Sequence, residues 1–203
     1  MIYEIAIMVR PETNEESLKT IKNIVTANVD TVKGTTLVTE DWGVLKLAEV
    51  TKRGGHSRAK FLYFMYKADG SSNAEIIRKL GIDENVIRHL IVVLGVDKDE
   101  AAILKAHQNP QTQAVDAMGD EEMEKDRRMS SKRRSCWFSA NKTTPDWKNP
   151  RTYSWLVNEF GKISPARVTG LRPHFQRKAN DAIKRGRFMG LLSNMTNHIA
   201  YKA

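Results

Sequence analysis

Cysteine occurs once in this 203-residue sequence, as Cys136. A single thiol closes no internal disulfide and builds no cysteine-based zinc cluster, so an intracellular compartment fits best. Histidine gives no cluster either: His56, His89, His107, His174 and His198 are scattered, and no metal is expected. There is no glycine-rich loop to cradle phosphates and no coherent acid–base group. A small enzyme on this chain would have no residues to work with, and neither cofactor nor small-molecule substrate is expected. Apolar runs are short. None reaches the roughly 18 residues that would suggest a membrane span, and the N-terminus MIYEIAIMVRPE lacks a basic n-region and a cleavage signature.

What the last third lacks is acid. Residues 1–95 carry 13 Lys+Arg and 12 Asp+Glu, residues 96–128 carry 5 and 9, and residues 129–203 carry 15 and 3. The overall charge of +9 therefore belongs almost wholly to the C-terminal segment. Cations that neutralise phosphates release condensed counterions, which predicts polyanion binding there with a steep salt dependence.

The first 95 residues alternate β and α signals. Ile2–Val9 has the period of a strand, and Pro11 ends it. Thr13 or Asn14 can cap the helix that follows, whose buried stripe is Leu18, Ile21, Val25, Val29 and Val32; Gly34 stops it. Strands are predicted over 35–50, 59–67 and 85–94, with a short helix capped by Ser71, Ser72 or Asn73 and ending at Leu80-Gly81. The order β-α-β-β-α-β is that of a ferredoxin-like α+β split sandwich, a four-stranded antiparallel sheet with two helices on one face and the other face open. Glu40 and Asp41 read as turn or strand-edge carboxylates. Trp42 reads equally as a core residue or a partner anchor, and His89 as a structural or interface residue.

Residues 96–128 read as an acidic, flexible linker with a possible short helix over 97–107 capped by Asp97. The third segment, 129–203, reads as a small all-α basic module. Lys132-Arg133-Arg134 is an arm suited to tracking a phosphate backbone, and Trp137 and Phe138 pack against protein. Asn149-Pro150 predicts a helix with the stripe Tyr153, Leu156, Val157 and Phe160, and Ser164-Pro165 a single turn ending at Thr169-Gly170. From Pro173 onward Phe175, Ala179, Ala182, Ile183, Gly186 and Gly190 share one narrow face. Arg177 and Lys184 lie two turns apart, as do Lys178 and Arg185. Such a helix docks by one side and holds cations toward RNA. Candidate RNA-binding residues are Arg133, Arg134, Lys162, Arg167, Arg172, Arg177, Lys184, Arg185 and Arg187; candidates for packing between the modules are Trp42, His89, Trp137 and Phe138.

These residues carry two resemblances. Tyr3-Glu4-Ile5, Glu40-Asp41-Trp42-Gly43 followed by Leu47-Ala48, and Val86-Ile87-Arg88 resemble bacterial small-subunit ribosomal protein six over about residues 1–95. The family usually places a basic residue or two after that glycine, where this chain has Val44-Leu45. Cys136-Trp137-Phe138, Glu159 to Ile163, Pro165 to Gly170, Gln176-Arg177 and Ala182 to Arg187 resemble bacterial small-subunit ribosomal protein eighteen over about residues 129–203. Gly186 stands where that family more often has alanine, and is expected to let the helix approach a backbone closely. The resemblance implies two proteins joined head to tail: cytoplasmic, ribosome-associated, and partners of each other, of neighbouring small-subunit proteins and of the central domain of small-subunit rRNA. The same surface could instead bind a messenger RNA leader that mimics the ribosomal site, making the chain a translational regulator.

Overall fold

The computed structural model describes residues 1–51, 54–96, 99–107, 136–158 and 160–194, in two units, Met1–His107 and Gln108–Ala203. The acidic linker after His107, the arm Lys132-Arg133-Arg134, the boundary at Met129 and Asp97 as a cap all lie outside the described residues.

The first unit runs β1 (Ile2–Val9), α1 (Glu15–Thr31), β2 (Thr35–Lys46), β3 (Arg58–Lys67), α2 (Ser71–Ile82) and β4 (Val86–Gly95). Its strands are ordered β2-β3-β1-β4 and pair antiparallel, the ferredoxin-like arrangement that the element order predicts. Leu18, Ile21, Val25 and Val29 of α1, with Ile76 and Leu80 of α2, pack on Ile5, Ile7, Val9, Leu62, Phe64 and Tyr66. Each large side chain buried in this layer contributes about 1.5–3 kcal/mol, which makes it the unit's principal source of stability. Helix starts differ in detail from the sequence pattern. Asn14 holds the N-cap position of α1 without a side-chain cap bond, while Thr13 donates its hydroxyl to the Arg10 carbonyl. At α2 the Asp69 carboxylate accepts bonds from the Ser71 hydroxyl and N–H, which hold its pKa below the ordinary carboxylate value.

The second sheet face is not open. Ile2, Glu4, Ala6 and Met8 of β1 and Phe61, Tyr63 and Met65 of β3 are all at most 2% exposed. IYEIAIMV and FLYFMY are apolar at nearly every position, the pattern of strands covered on both sides. Glu4 is accommodated by a 2.8 Å hydrogen bond from the Tyr63 hydroxyl. A short helix, α3 (Glu100–Ala106), brings His107 onto the Tyr63 ring at 5.0 Å, and His107 Nε2 lies 3.0 Å from Glu40 Oε1.

His89 pairs opposite Ile7, on the side of the sheet that the helices cover. Burial lowers its pKa below the ordinary 6.5. The unfolded chain therefore takes up the proton first as pH falls. The neutral ring contributes stability that is complete above the unfolded value and is lost as pH drops through and below 6.5. We predict that His89→Gln flattens the change in urea midpoint between about pH 7 and 5. A variant that tracks the parent over that range would assign the effect to another group.

In the second unit the described elements are α4 (Trp137–Ala140), two 3-10 turns (Pro150–Thr152 and Ser154–Leu156), α5 (Ala166–Thr169) and α6 (Pro173–Phe188). The helix predicted from Asn149-Pro150 starts as expected, with Asn149 accepting the Arg151 N–H and Pro150 in the first position, but lasts one turn. Tyr153 leaves the helical region at φ −135°, and its hydroxyl donates to the Trp147 carbonyl at 2.8 Å. Tyr153 and Leu156 are buried nonetheless, Val157 bridges to Ile163, and Phe160 faces solvent. Asn158 explains the exit: its side chain accepts the N–H groups of Phe160 and Lys162, an alternative to helical bonding.

Candidate nucleic-acid interface

The last helix has two unlike sides. Ala179, Ala182, Ile183 and Gly186 are buried, and Phe175 stacks on Phe138 with ring centroids 5.6 Å apart. Small residues on that side let α6 lie close to its neighbours. Arg177, Asp181, Lys184 and Phe188 recur at steps of four, three and four on the opposite side, and all are exposed. Lys178, exposed, and Arg185, half-buried, flank this ridge. Asp181 is its one acid.

Two hydrogen-bonded ties align the preceding loops with the helix. Gln176 donates through Nε2 to the Ser164 carbonyl at 3.1 Å and accepts at 3.3 Å from the Thr169 hydroxyl, which fixes the turn that carries Arg167. Gly170 closes that turn at φ +73°. Arg187 donates its guanidinium to the Gly161 carbonyl, which fixes the turn that carries Lys162. Lys162, Arg167 and Arg172 are exposed, and among the described residues none of them, nor Arg177 or Lys184, forms an ion pair. Arg187 stands apart as a half-buried cation bonded to backbone. Arg133 and Arg134 lie outside the described residues.

The aromatic candidates are held by contacts of another kind. Trp42 is the extra residue of a β-bulge, since Asp41 pairs with Leu62 and Gly43 with Phe61. Gly43 adopts φ +68° and donates its N–H to Asp41, which turns Trp42 onto Tyr63 (5.0 Å) and Phe61 (6.3 Å). The indole N–H donates to Glu40 at 2.8 Å, while Asp41 lies 3.4 Å from Lys60. The Glu40–Asp41 pair thus braces the bulge and the strand. Trp137 meets Phe138 and Trp155 edge-on, and Phe138 is fully buried. Cys136 is buried beside them. Burial pushes its thiol pKa up, but surrounding N–H groups, that of Arg172 first, outweigh this and lower it. Among the described residues no group of His, Cys, Asp and Glu could hold a metal, and no helix is long and apolar enough to cross a membrane.

Sequence periodicity missed Phe160 and Phe188 as surface residues. Asn158 and Gly161, two turn formers three apart, were the signal for the first. A cation-rich ridge with adjoining exposed aromatics is suited to phosphate contact and base stacking, and to no covalent chemistry.

Known proteins match each unit separately. The family Ribosomal protein S6 matches residues 2–93, and the family Ribosomal protein S18 matches residues 141–192. Small ribosomal subunit protein bS18 of Pelobacter propionicus is 38% identical over 94 residues, 46% of this chain and 96% of that protein. Small ribosomal subunit protein bS6 of Geobacter metallireducens is 33% identical over 100 residues, 49% of this chain and 81% of that protein. A crystal structure of 30S ribosomal protein S6 from Thermotoga maritima is similar at TM-score 0.43 and 20% identity, over 53% of this chain and 97% of that one. The chain thus belongs to the ribosomal protein S6 family in its first part and to the S18 family in its second, a structural small-subunit ribosomal protein of two fused members and not an enzyme.

Proposed function

We propose that the chain binds and orders the central domain of small-subunit rRNA, as a covalently joined pair seated among neighbouring small-subunit proteins on cytoplasmic ribosomes. Exposed Lys162, Arg167, Arg172, Arg177 and Lys184, with Arg185 beside them, contact phosphate. Arg187 aligns them by holding the Gly161 turn, and Arg133 and Arg134 extend the track from the arm. The observation that carries this reading is the anchoring of two cationic loops along a cationic helix. The charges are positioned before RNA arrives, so little ordering entropy opposes binding. Shape and phosphate geometry then dominate over base-edge readout. Joining the two units makes their association intramolecular, at an effective concentration set by linker reach. Trp42, His89, Trp137 and Phe138 support that pairing by keeping each unit rigid.

Footprinting of small-subunit rRNA with the full chain tests this, together with sedimentation of the chain from cell extract. The expected outcome is a compact protected region in the central domain and near-stoichiometric recovery in small subunits. Protection spread evenly over the RNA, or recovery mainly as free protein, would overturn it.

A further inference from the structure

We propose, building on the RNA-binding reading above, that Phe160 is a stacking platform for one unpaired RNA base. At 77% exposure it is the most exposed large apolar side chain among the described residues. Phe160 and its described neighbours Asn158, Gly161 and Lys162 are tied by several hydrogen bonds. Asn158 Oδ1 accepts N–H groups from Phe160 at 3.0 Å and from Lys162 at 2.7 Å. The backbone closes with Asn158 N–H to the Lys162 carbonyl at 2.8 Å and Gly161 N–H to the Asn158 carbonyl at 3.0 Å. Gly161 sits at φ +73°, Val157 bridges to Ile163, and Arg187 holds the Gly161 carbonyl from the last turn of α6. An aromatic ring held out in water by a hydrogen-bonded backbone forgoes the gain that burial would bring, and a planar partner recovers it at little entropic cost.

Charge selects the partner. From Glu159 to Leu192 cations outnumber acids eight to two, and the exposed described residues nearest Phe160 in sequence are Asn158, Lys162, Pro165, Arg167 and Val168, none of them acidic. A polyanion is drawn to this surface, whereas a protein partner would need an unusually acidic face. Bases offer a π-face whatever their identity, and an unpaired one can leave its helix to stack on an aromatic ring. The same ridge ends in a second exposed ring, Phe188, next to Arg187. Phe160 thereby adds a base contact to a surface otherwise made for phosphate.

The test titrates full-length chain against small-subunit rRNA at several salt concentrations, with Phe160→Ala, Phe160→Leu and Phe160→Trp. The ring lies outside the core, so thermal melting should match the parent in each case. Phe160→Ala and Phe160→Leu should weaken binding about 5- to 150-fold with an unchanged salt slope, because no phosphate contact is lost. One base should become reactive to chemical probing, and Phe160→Trp should bind as tightly as the parent or tighter. Parent-like affinity of Phe160→Ala would overturn the assignment, and so would parent-like affinity of Phe160→Leu, which keeps apolar bulk but no π-face. Normal binding of Phe160→Ala to naked RNA with loss of incorporation into subunits would make Phe160 a protein contact and also overturn it. Absence of salt-dependent binding by the unsubstituted chain would instead remove the RNA-binding reading itself.

Discussion

Replacing Arg177 and Lys184 together with glutamate should lower the affinity of the full chain for small-subunit rRNA by about a hundredfold or more. Its salt slope should flatten by about one per lost phosphate contact. Both side chains are exposed on the ridge of α6, and neither forms an ion pair among the described residues. Removing them therefore leaves no buried charge unpaired. The one structural side effect is local: new carboxylates would flank Asp181 at helical spacing, at a cost of about 0.2–0.5 kcal/mol per pair. That is too small to unfold the unit and far smaller than the loss of two charge-assisted contacts to phosphate, each worth about 1.5–3 kcal/mol. Arg177→Lys with Lys184→Arg keeps both charges and should keep the slope. Binding measured from low to high salt separates the outcomes. A double reversal with the parent's slope would mean that the ridge points away from RNA, and the loops aligned along it would lose their role.

How much of this could be read from the chain depended on how local each signal is. The sheet and its two helices were legible because the elements carry their own periods and punctuation: Pro11 after β1, Gly34 after α1, the Ser71-Ser72-Asn73 run at the start of α2. The cationic ridge was legible because spacing alone puts Arg177 and Lys184 on one side of a helix. The segment after Asn149 was not. Tyr153, Leu156, Val157 and Phe160 fit the i, i+3, i+4, i+7 template, yet three bonds overrule it: one from the Tyr153 hydroxyl to the Trp147 carbonyl, and two that the Asn158 side chain accepts from the N–H groups of Phe160 and Lys162. Three of those four residues are core and Phe160 is surface. The tie that Arg187 makes was not legible for a related reason. Its partner, Gly161, lies 26 residues away, and no local pattern announces a cation that will hold a loop. The covered second face of the sheet was visible in the apolar runs of β1 and β3, but the element order β-α-β-β-α-β argued the other way.

Gly186→Ala is expected to destabilise the second unit, against the usual sign. In a helix interior alanine normally gains about 0.5–1 kcal/mol over glycine. Here a Cβ at position 186 would come within 2.1 Å of Tyr153 Oη and 3.1 Å of its Cζ. The close approach expected from sequence is real, but what approaches is a phenol hydroxyl and not a backbone. Tyr153 cannot yield cheaply, being fully buried with its hydroxyl bonded to the Trp147 carbonyl. Overpacking of this kind typically costs about 1–3 kcal/mol, and each kcal/mol lowers the melting temperature of a unit this size by about 4–8 °C. Tyr153→Phe alone should also lower stability, by about 0.5–1.5 kcal/mol for the lost hydrogen bond. Combined, the two changes should be less harmful than their sum, because removing the hydroxyl makes room for the methyl. Thermal unfolding of the four chains measures the coupling, and a Gly186→Ala variant that melts above the parent would refute the packing assigned to Tyr153. RNA titration adds a second reading. Gly186 lies on the side of α6 opposite Arg177 and Lys184, so a shifted seat should misplace the ridge and the Gly161 tie while leaving every cation in place. Affinity should then fall with the salt slope intact, the reverse of what the charge reversals produce.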